Sequence, residues 1–375
     1  MASRSGFGFG IVGCGMIADF HARAIQAMKG GRLVCVHDCI PRSAQRVGET
    51  FAVPWYTDLK KFLKHPGLDV VTIATPSGAH LEPSLAAIKA GKHLAIEKPL
   101  EVTLERCDRI IDAAGRAKVK VAGIFPSRFG GSLLEVKKAV DAGRLGRPSA
   151  GIAVIPWYRT QAYYDSGGWR GTWKLDGGGA LMNQSIHTID ILQWLMGPVK
   201  EIAALADLLA HQRIEVEDTA SAALRFASGA LGSIVGTTAA FPGTPRRVEL
   251  YGDQGSIVIV DTEIVTWQFA KPLAGDKTVI RKYGPNPKKL TARGAADPKA
   301  ISFEGHKLQF ENLAESLSKQ TPLLVDAVEA RRAVEVILGI YASALSGKAA
   351  RLPLKKTPSR RPFRKGEKKR PGAAK

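Results

Sequence analysis

Phe7-Gly8-Phe9-Gly10-Ile11-Val12-Gly13-Cys14-Gly15-Met16-Ile17-Ala18 decides how the first third of the chain is read. A short apolar run feeds directly into Gly-x-Gly-x-x-Ala, and residues 16–29 then have helical composition. In a strand–turn–helix setting the three small residues have separate tasks. Gly13 makes the tight turn, Gly15 lets the backbone approach a pyrophosphate, and Ala18 permits close packing of helix on strand. The helix start at Met16 and Ile17 presents unpaired N–H groups and the positive end of the helix dipole to phosphate. The stretch predicts a dinucleotide-binding βα unit.

The pattern repeats outward from there. Residues 33–38 form a second apolar strand that ends in Asp38, 25 positions after Gly13. An acid at that point suits free ribose hydroxyls and repels a 2′-phosphate, which favours NAD over NADP, although Arg42 lies four residues on. Residues 70–76 read as a strand ending at Thr75-Pro76, with His80 at the start of a helix over 80–90. Then comes Leu94-Ala95-Ile96-Glu97-Lys98-Pro99, an apolar run broken by an acid, a base and a proline. The carboxyl end of a parallel strand opens on the ligand crevice, so Lys98 stands where an ammonium can stabilise charge developing on a reacting oxygen. A helix over 104–117 and a strand over 120–125 complete a doubly wound parallel sheet. Thr75, Pro76, His80, Glu97 and Lys98 join Gly13, Gly15, Met16, Ile17 and Asp38 as expected cofactor contacts.

After Phe125 the character changes. A helix over 132–142 is followed by strand-patterned segments at 149–157, 199–207, 219–226, 230–239, 246–251, 255–260 and 263–269. Consecutive strands of this kind predict a mainly antiparallel open sheet in an α+β domain, closed by helices at 303–319 and 326–346. Residues 271–300, rich in Pro, Gly and Lys, read as a surface excursion. The organisation expected is 1–126 for cofactor binding, 127–353 for substrate and oligomerisation, and 354–375 as a disordered basic tail.

Two segments of the second part carry chemistry. Gly177-Gly178-Gly179 opens a helical run over 180–196 that stops at Gly197-Pro198. Asn183, His187 and Asp190 at i, i+4, i+7 share one face of a regular helix, with Leu181, Ile189 and Leu192 opposite. A histidine, whose ordinary pKa is ~6.5, can accept a hydroxyl proton near neutrality. Upstream, residues 157–173 hold three Trp, three Tyr and two Arg, among them Arg159, Tyr164, Trp169 and Arg170. Aromatic faces stack on sugar rings and arginine forks grip carboxylate or phosphate, though packing alone also accounts for such a cluster.

Bulk properties narrow the class. The 375 residues carry a net charge of +20, and eleven Lys and Arg against Glu367 alone sit between Arg351 and Lys375. That tail attracts phosphate non-specifically, but with Phe363 as its one aromatic it offers no stacking platform, so nucleic acid is not the expected partner. Four scattered cysteines, without paired spacing or adjacent histidines, read as reduced thiols, not as a metal site, in a cytoplasmic protein. No apolar run reaches the ~18 residues of a membrane span.

The Gly-x-Gly-x-x-Ala turn, Glu97-Lys98-Pro99, and the Gly178-Gly179 helix bearing His187 together resemble the Gfo/Idh/MocA oxidoreductases, relatives of glucose-fructose oxidoreductase and inositol 2-dehydrogenase. The resemblance covers about residues 5–353. It implies a nicotinamide-binding Rossmann domain, an α/β second domain whose open sheet forms homodimers or homotetramers, and oxidation of a sugar or cyclitol hydroxyl or the reverse. It places the catalytic lysine on Lys98 and the catalytic histidine on His187. Many members have aspartate where this chain has Asn183, which orients substrate but takes no proton. The form Asn183-Gln184-Ser185-Ile186-His187 looks like the branch with UDP-N-acetylglucosaminuronate 3-dehydrogenases, in which Arg159 or Arg170 would meet a uronate or diphosphate. Two other readings are a redox-neutral glycosidase or epimerase that retains NAD, and a dinucleotide-binding sensor without turnover.

Overall fold

A computed structural model describes residues 6–286 and 302–363. Two compact units emerge, Met1–Glu135 with Ile301–Glu335, and Val136–Ala300 with Val336–Lys375. The expected fold class holds: one sheet is parallel and doubly wound, the other open and mostly antiparallel.

The first unit is built on β1 (Phe7–Val12), β2 (Gly31–His37), β3 (Trp55–Tyr56), β4 (Val70–Ile73), β5 (His93–Ile96) and β6 (Val121–Gly123). They form one parallel sheet in the order β3-β2-β1-β4-β5-β6. Its inner strands are mostly apolar because helices cover both faces: β4 is buried at every position and β1 at all but the first. The strand order reverses beside β1, which sets the Gly13 turn at the point where such sheets open a ligand crevice. The helix Met16–Ala27 packs its Ala18, Ala22 and Ile25 into this core.

The helix Glu304–Lys319, expected with the second domain, belongs to the first unit. Its stripe of Phe310, Leu313, Ala314 and Leu317 fits the groove left by Phe9, Ala18 and Ile25, with the Phe310 ring 5.7 Å from that of Phe9. The following segment covers the edge of β6, where Gly123 N donates to Val325 O and Ala122 pairs with Asp326. A short unprotected edge strand is thereby closed.

The second unit contains β7 (Pro148–Pro156), β8 (Val199–Asp207), β9 (Thr219–Phe226), β10 (Leu231–Thr237), β11 (Arg247–Gly252), β12 (Gly255–Val260), β13 (Glu263–Phe269) and β14 (Ala350–Arg351). The order is β13-β12-β11-β7-β10-β9-β8-β14, antiparallel except where β7 and β10 run together. Buried and open positions alternate along β9, so one face packs and the other is bare. The region expected as a surface excursion holds a helix, Asp276–Tyr283, pinned by Asp276 to Arg144 at 2.6 Å; its remainder, 287–300, lies outside the described residues.

Of the expected tail, residues 354–363 lie against this unit, and 364–375 fall outside the described residues. Phe363 is buried, with its ring 5.9 Å from that of Trp173 and its N–H donating to Glu215 O at 2.9 Å. Arg360 donates to Trp173 O and the Trp173 indole donates to Arg361 O. A low apolar content concealed this contact, because one aromatic and a few backbone bonds suffice to seat a short extended segment.

If Glu304–Lys319 completes the first core, Phe310→Ala will destabilise that unit by about 3–5 kcal/mol, the usual cost of emptying a buried phenylalanine site. Urea unfolding indistinguishable from wild type would show the helix to be a passive appendage.

Candidate active site

Gly13 has a φ of +96°, and a Cβ there would stand 2.7 Å from the backbone of Ala74 and Thr75. Only glycine can turn so close beneath β4. Gly15 differs: its φ is −77° and a Cβ would meet nothing within 4 Å. The protein itself leaves that space open, directly at the N-terminus of Met16–Ala27, where a side chain would fill the approach of a pyrophosphate. These residues fit a dinucleotide. Met16 is exposed and Ile17 half-buried beside the opening.

Asp38 accepts from Cys14 N at 2.7 Å and from Ile40 N at 2.9 Å. It braces the glycine turn and, as an ionised carboxylate that can accept about four hydrogen bonds, retains further acceptor capacity. Arg46, which sequence reasoning passed over, reaches from the next helix to Cys14 O and to Asp19, both at 3.1 Å. Nothing in its local pattern marks it; the contact exists because the helix Pro41–Thr50 passes the turn.

β4 stops at Ile73, short of the expected end at Pro76, and Thr75 and Pro76 lie in the loop after it, with the Thr75 hydroxyl donating to Ala79 O. His80 is engaged within the protein. It is buried, with Nδ1 3.0 Å from Pro99 O and Nε2 3.0 Å from Thr75 O, so it ties the loop after β4 to the loop after β5. Lys98 follows the end of β5, half-buried, in a cis linkage to Pro99.

Glu97 also turns inward. Its Oε1 accepts from His21 Nε2 at 2.9 Å, with His306 Nε2 3.5 Å away, and its Oε2 accepts the Lys98 N–H at 3.0 Å. His21 Nδ1 meets the Thr72 hydroxyl at 2.7 Å, an arrangement met when the hydroxyl donates to Nδ1 and Nε2–H donates to Glu97. The ligand atoms of His21, Glu97 and His306 lie within 4.8 Å of one another, the one such set among the described residues able to hold a metal ion. The short His21–Glu97 contact is already that of a hydrogen bond. Burial works against the Glu97 charge, yet bonds and charge from His21 and His306 outweigh it and hold this carboxyl well below its ordinary value. Burial pushes His21 below its usual range, against the pull of Glu97.

In the second unit, the run opening at Ala180 is a π-helix through Ser185 and becomes α-helical over Ile186–Met196. The wider turn breaks the regular face expected for Asn183, His187 and Asp190. Asn183 and His187 are half-buried and Asp190 is buried, while Leu181, Ile189 and Leu192 are buried as expected. Asn183 Nδ2 donates to Asp176 Oδ1 at 2.6 Å.

The aromatic-basic segment forms a chain of polar contacts. Arg159, buried, donates to Gln184 Oε1 at 2.9 Å; Gln184 Nε2 donates to the Tyr163 hydroxyl at 2.8 Å; Arg170 donates to the same hydroxyl at 2.6 Å. The Arg170 guanidinium lies over the rings of Tyr163 and Trp169, 4.2 and 4.6 Å from their centroids. Tyr164 is elsewhere: buried, bonded to the Thr238 hydroxyl and packed on His211. Tyr163, not Tyr164, joins the arginines, because neighbours on the short helix Gln161–Asp165 point to different sides.

Comparison with known proteins matches residues 7–125 to the oxidoreductase family with an NAD-binding Rossmann fold, GFO/IDH/MocA, and residues 133–258 to the GFO/IDH/MocA C-terminal domain. The chain belongs to the GFO/IDH/MocA family. It is 29% identical over 253 residues to the myo-inositol 2-dehydrogenase of Thermotoga maritima, 66% of this chain and 73% of that protein. It is 29% identical over 260 residues to scyllo-inositol 2-dehydrogenase (NAD(+)) of Bacillus subtilis, 66% of this chain and 72% of that one. The crystal structure of the WlbA dehydrogenase from Bordetella pertussis, in complex with NADH and UDP-GlcNAcA, superposes with a TM-score of 0.83 at 32% identity, covering 94% of this chain and all of that one. The expected NAD-dependent oxidation of sugar or cyclitol hydroxyls is borne out at the level of this GFO/IDH/MocA kinship, and NAD is the cofactor.

The Glu97 cluster makes stability pH-dependent. The unfolded chain binds a proton at His21 below a pH of ~6.5 and at Glu97 below ~4.3, whereas the folded unit resists both, so acid favours unfolding. The urea midpoint should therefore fall as pH drops from about 7.5 to about 5, and Glu97→Gln should cost about 3–5 kcal/mol at the higher pH. A flat midpoint together with a neutral Glu97→Gln would contradict the charge assignment.

Proposed function

We propose that this protein oxidises a secondary hydroxyl of an acidic, nucleotide-linked sugar with NAD as acceptor. What supports the reading is that the first unit carries a dinucleotide cradle and Lys98, while the second carries Asn183 and His187 beside a chain of arginines and aromatics. NAD, held by the Gly13–Ile17 turn, would supply the acceptor for the hydride of the carbinol carbon. His187 takes the hydroxyl proton, the Lys98 ammonium stabilises the oxygen as negative charge builds on it, and Asn183 orients the hydroxyl. Arg170, stacked on Trp169 and half-buried, is the arm available to a carboxylate or diphosphate. Arg159 and Gln184 hold Tyr163 in place behind it. The likeness to the WlbA dehydrogenases and the Arg170–Tyr163 pair support an acidic substrate over a neutral cyclitol.

The bare face of the second sheet supports self-association. Leu205, Ser221, Val235 and Val154 stand in one row across β8, β9, β10 and β7, with Leu205 79% and Val235 36% exposed. Leu231 is 53% exposed along β10. A second copy of this chain covering that face would make a homodimer or homotetramer. No helix among the described residues is long and apolar enough to cross a membrane. The cysteines are free, three of them buried, which fits a reducing compartment such as the cytoplasm.

Lys98→Ala should lower kcat on UDP-linked uronates by about a hundred- to a thousand-fold. The NAD dissociation constant should stay within a few-fold, and NADH absorbance follows turnover directly. Undiminished turnover in that variant would end the assignment. Leu205→Glu should shift the protein to a smaller species in light scattering after gel filtration; an unchanged mass would place the subunit contact elsewhere.

A further inference from the structure

Glu217 is completely buried two residues before β9, yet it belongs to no part of the chemistry described above. Its Oε2 accepts from Gly179 N at 3.0 Å, and its Oε1 accepts from Leu181 N at 2.8 Å and from the Tyr341 hydroxyl at 2.9 Å. Its own carbonyl accepts from Ala180 N at 3.1 Å. One residue therefore satisfies the first three N–H groups of the turn that leads into the π-helix, donors which have no partner within the helix. The glycines exist for this contact: a Cβ on Gly179 would lie 1.8 Å from Glu217 O, and one on Gly178 would lie 2.2 Å from the Tyr341 hydroxyl.

We propose that Glu217 is a positioning residue for the reaction, its carboxylate anchoring the first turn of the π-helix and so setting the reach of Asn183 and His187. The anchor works as an acceptor, so it is complete only when ionised: protonation converts one of its oxygens from acceptor to donor and opposes an N–H or the Tyr341 hydroxyl. Burial lifts this carboxyl to about 7, against the bonds from Leu181, Tyr341 and Gly179. The titratable groups facing it are Tyr341 on the helix Ala327–Ser346 and Tyr164, both pushed upward by burial and by the Glu217 charge; Arg360 acts on Tyr341 from the C-terminal segment. Asp218, the next residue, is committed to His211 and to the backbone of 209–211. The positioning device thus switches near neutrality.

Tyr341→Phe separates Glu217 from His187. It removes a donor to Glu217 while leaving His187 untouched, so it raises the pH at which the carboxyl ionises. The kinetic arm rests on the dehydrogenase reading; a second arm, amide hydrogen exchange across 179–187, needs no substrate. After correction for intrinsic rates, protection of these amides in the wild type should fall as pH drops through about 7. The midpoint should move upward in Tyr341→Phe, and Glu217→Gln should be unprotected throughout. The acidic limb of kcat should follow the same shift, and Glu217→Gln should lose about a hundred-fold in kcat at alkaline pH with unchanged NAD affinity, the scale of a misplaced catalytic group. An exchange profile that responds while no sugar is oxidised would sustain the anchor and defeat the dehydrogenase reading. Protection independent of pH, equal in wild type and Glu217→Gln, overturns the proposal, as does a kcat limb that Tyr341→Phe leaves in place. Should Glu217→Gln fail to fold, Tyr341→Phe carries both comparisons.

Discussion

A carboxylate withdrawn from water must be surrounded by donors or it costs several kcal/mol. Each unit of this protein hangs a reactive side chain on one such group. In the first, Glu97 is buried between His21 and His306 and accepts the N–H of Lys98, so the residue bearing the ammonium is fixed by its own neighbour. In the second, Glu217 lies under the turn that leads to Asn183 and His187. The backbone beside both catalytic candidates is held by a buried carboxyl group. Removing the partners of either would leave a buried polar group unsatisfied, so each constrains the backbone around it.

The same demand for close backbone packing explains where glycine is needed and where it is merely open. Gly13 and Gly179 are forced by backbone atoms already in place, Ala74 for the one and Glu217 for the other. Gly15 has nothing against it. At the N-terminus of a helix, that open space leaves the Gly15 backbone within reach of a phosphate. That asymmetry within one three-residue motif is a stronger argument for a bound dinucleotide than the motif as a string.

Much of the frame was legible because parallel strands announce themselves. The runs ending at Val12, Asp38, Thr75 and Lys98 are mostly apolar and interleaved with helices, and two of them are followed directly by proline. What stayed hidden depended on contacts between distant segments. The helix Glu304–Lys319 has the composition of any amphipathic helix, and only the shape of the groove beside Phe9 decides that it returns to the first unit. The inward turn of Glu97 follows from His306, 209 positions later in the chain, so no local pattern encodes it. His80 and Tyr164 were assigned to ligands by residue type, whereas burial commits them to Pro99, Thr75 and Thr238. The π-turn was invisible for another reason: it is imposed by Glu217 pulling on Gly179 and Leu181, and a window of helical residues carries no trace of that pull.

The two buried carboxylates also differ in a way that suits the division of labour. Glu97 meets imidazoles, which bring positive charge within reach, and it stays ionised far below neutrality. Glu217 meets only N–H groups and a phenol, which stabilise charge by dipoles alone, and burial prevails. The lysine-bearing strand therefore keeps one geometry across the working range of pH, while the helix that would accept the substrate proton is tied to a group poised to release or take up a proton itself. Exchanging the partners would reverse this: a cation beside Glu217 would freeze the helix in one state, and a purely neutral shell around Glu97 would let the Lys98 loop loosen on mild acidification.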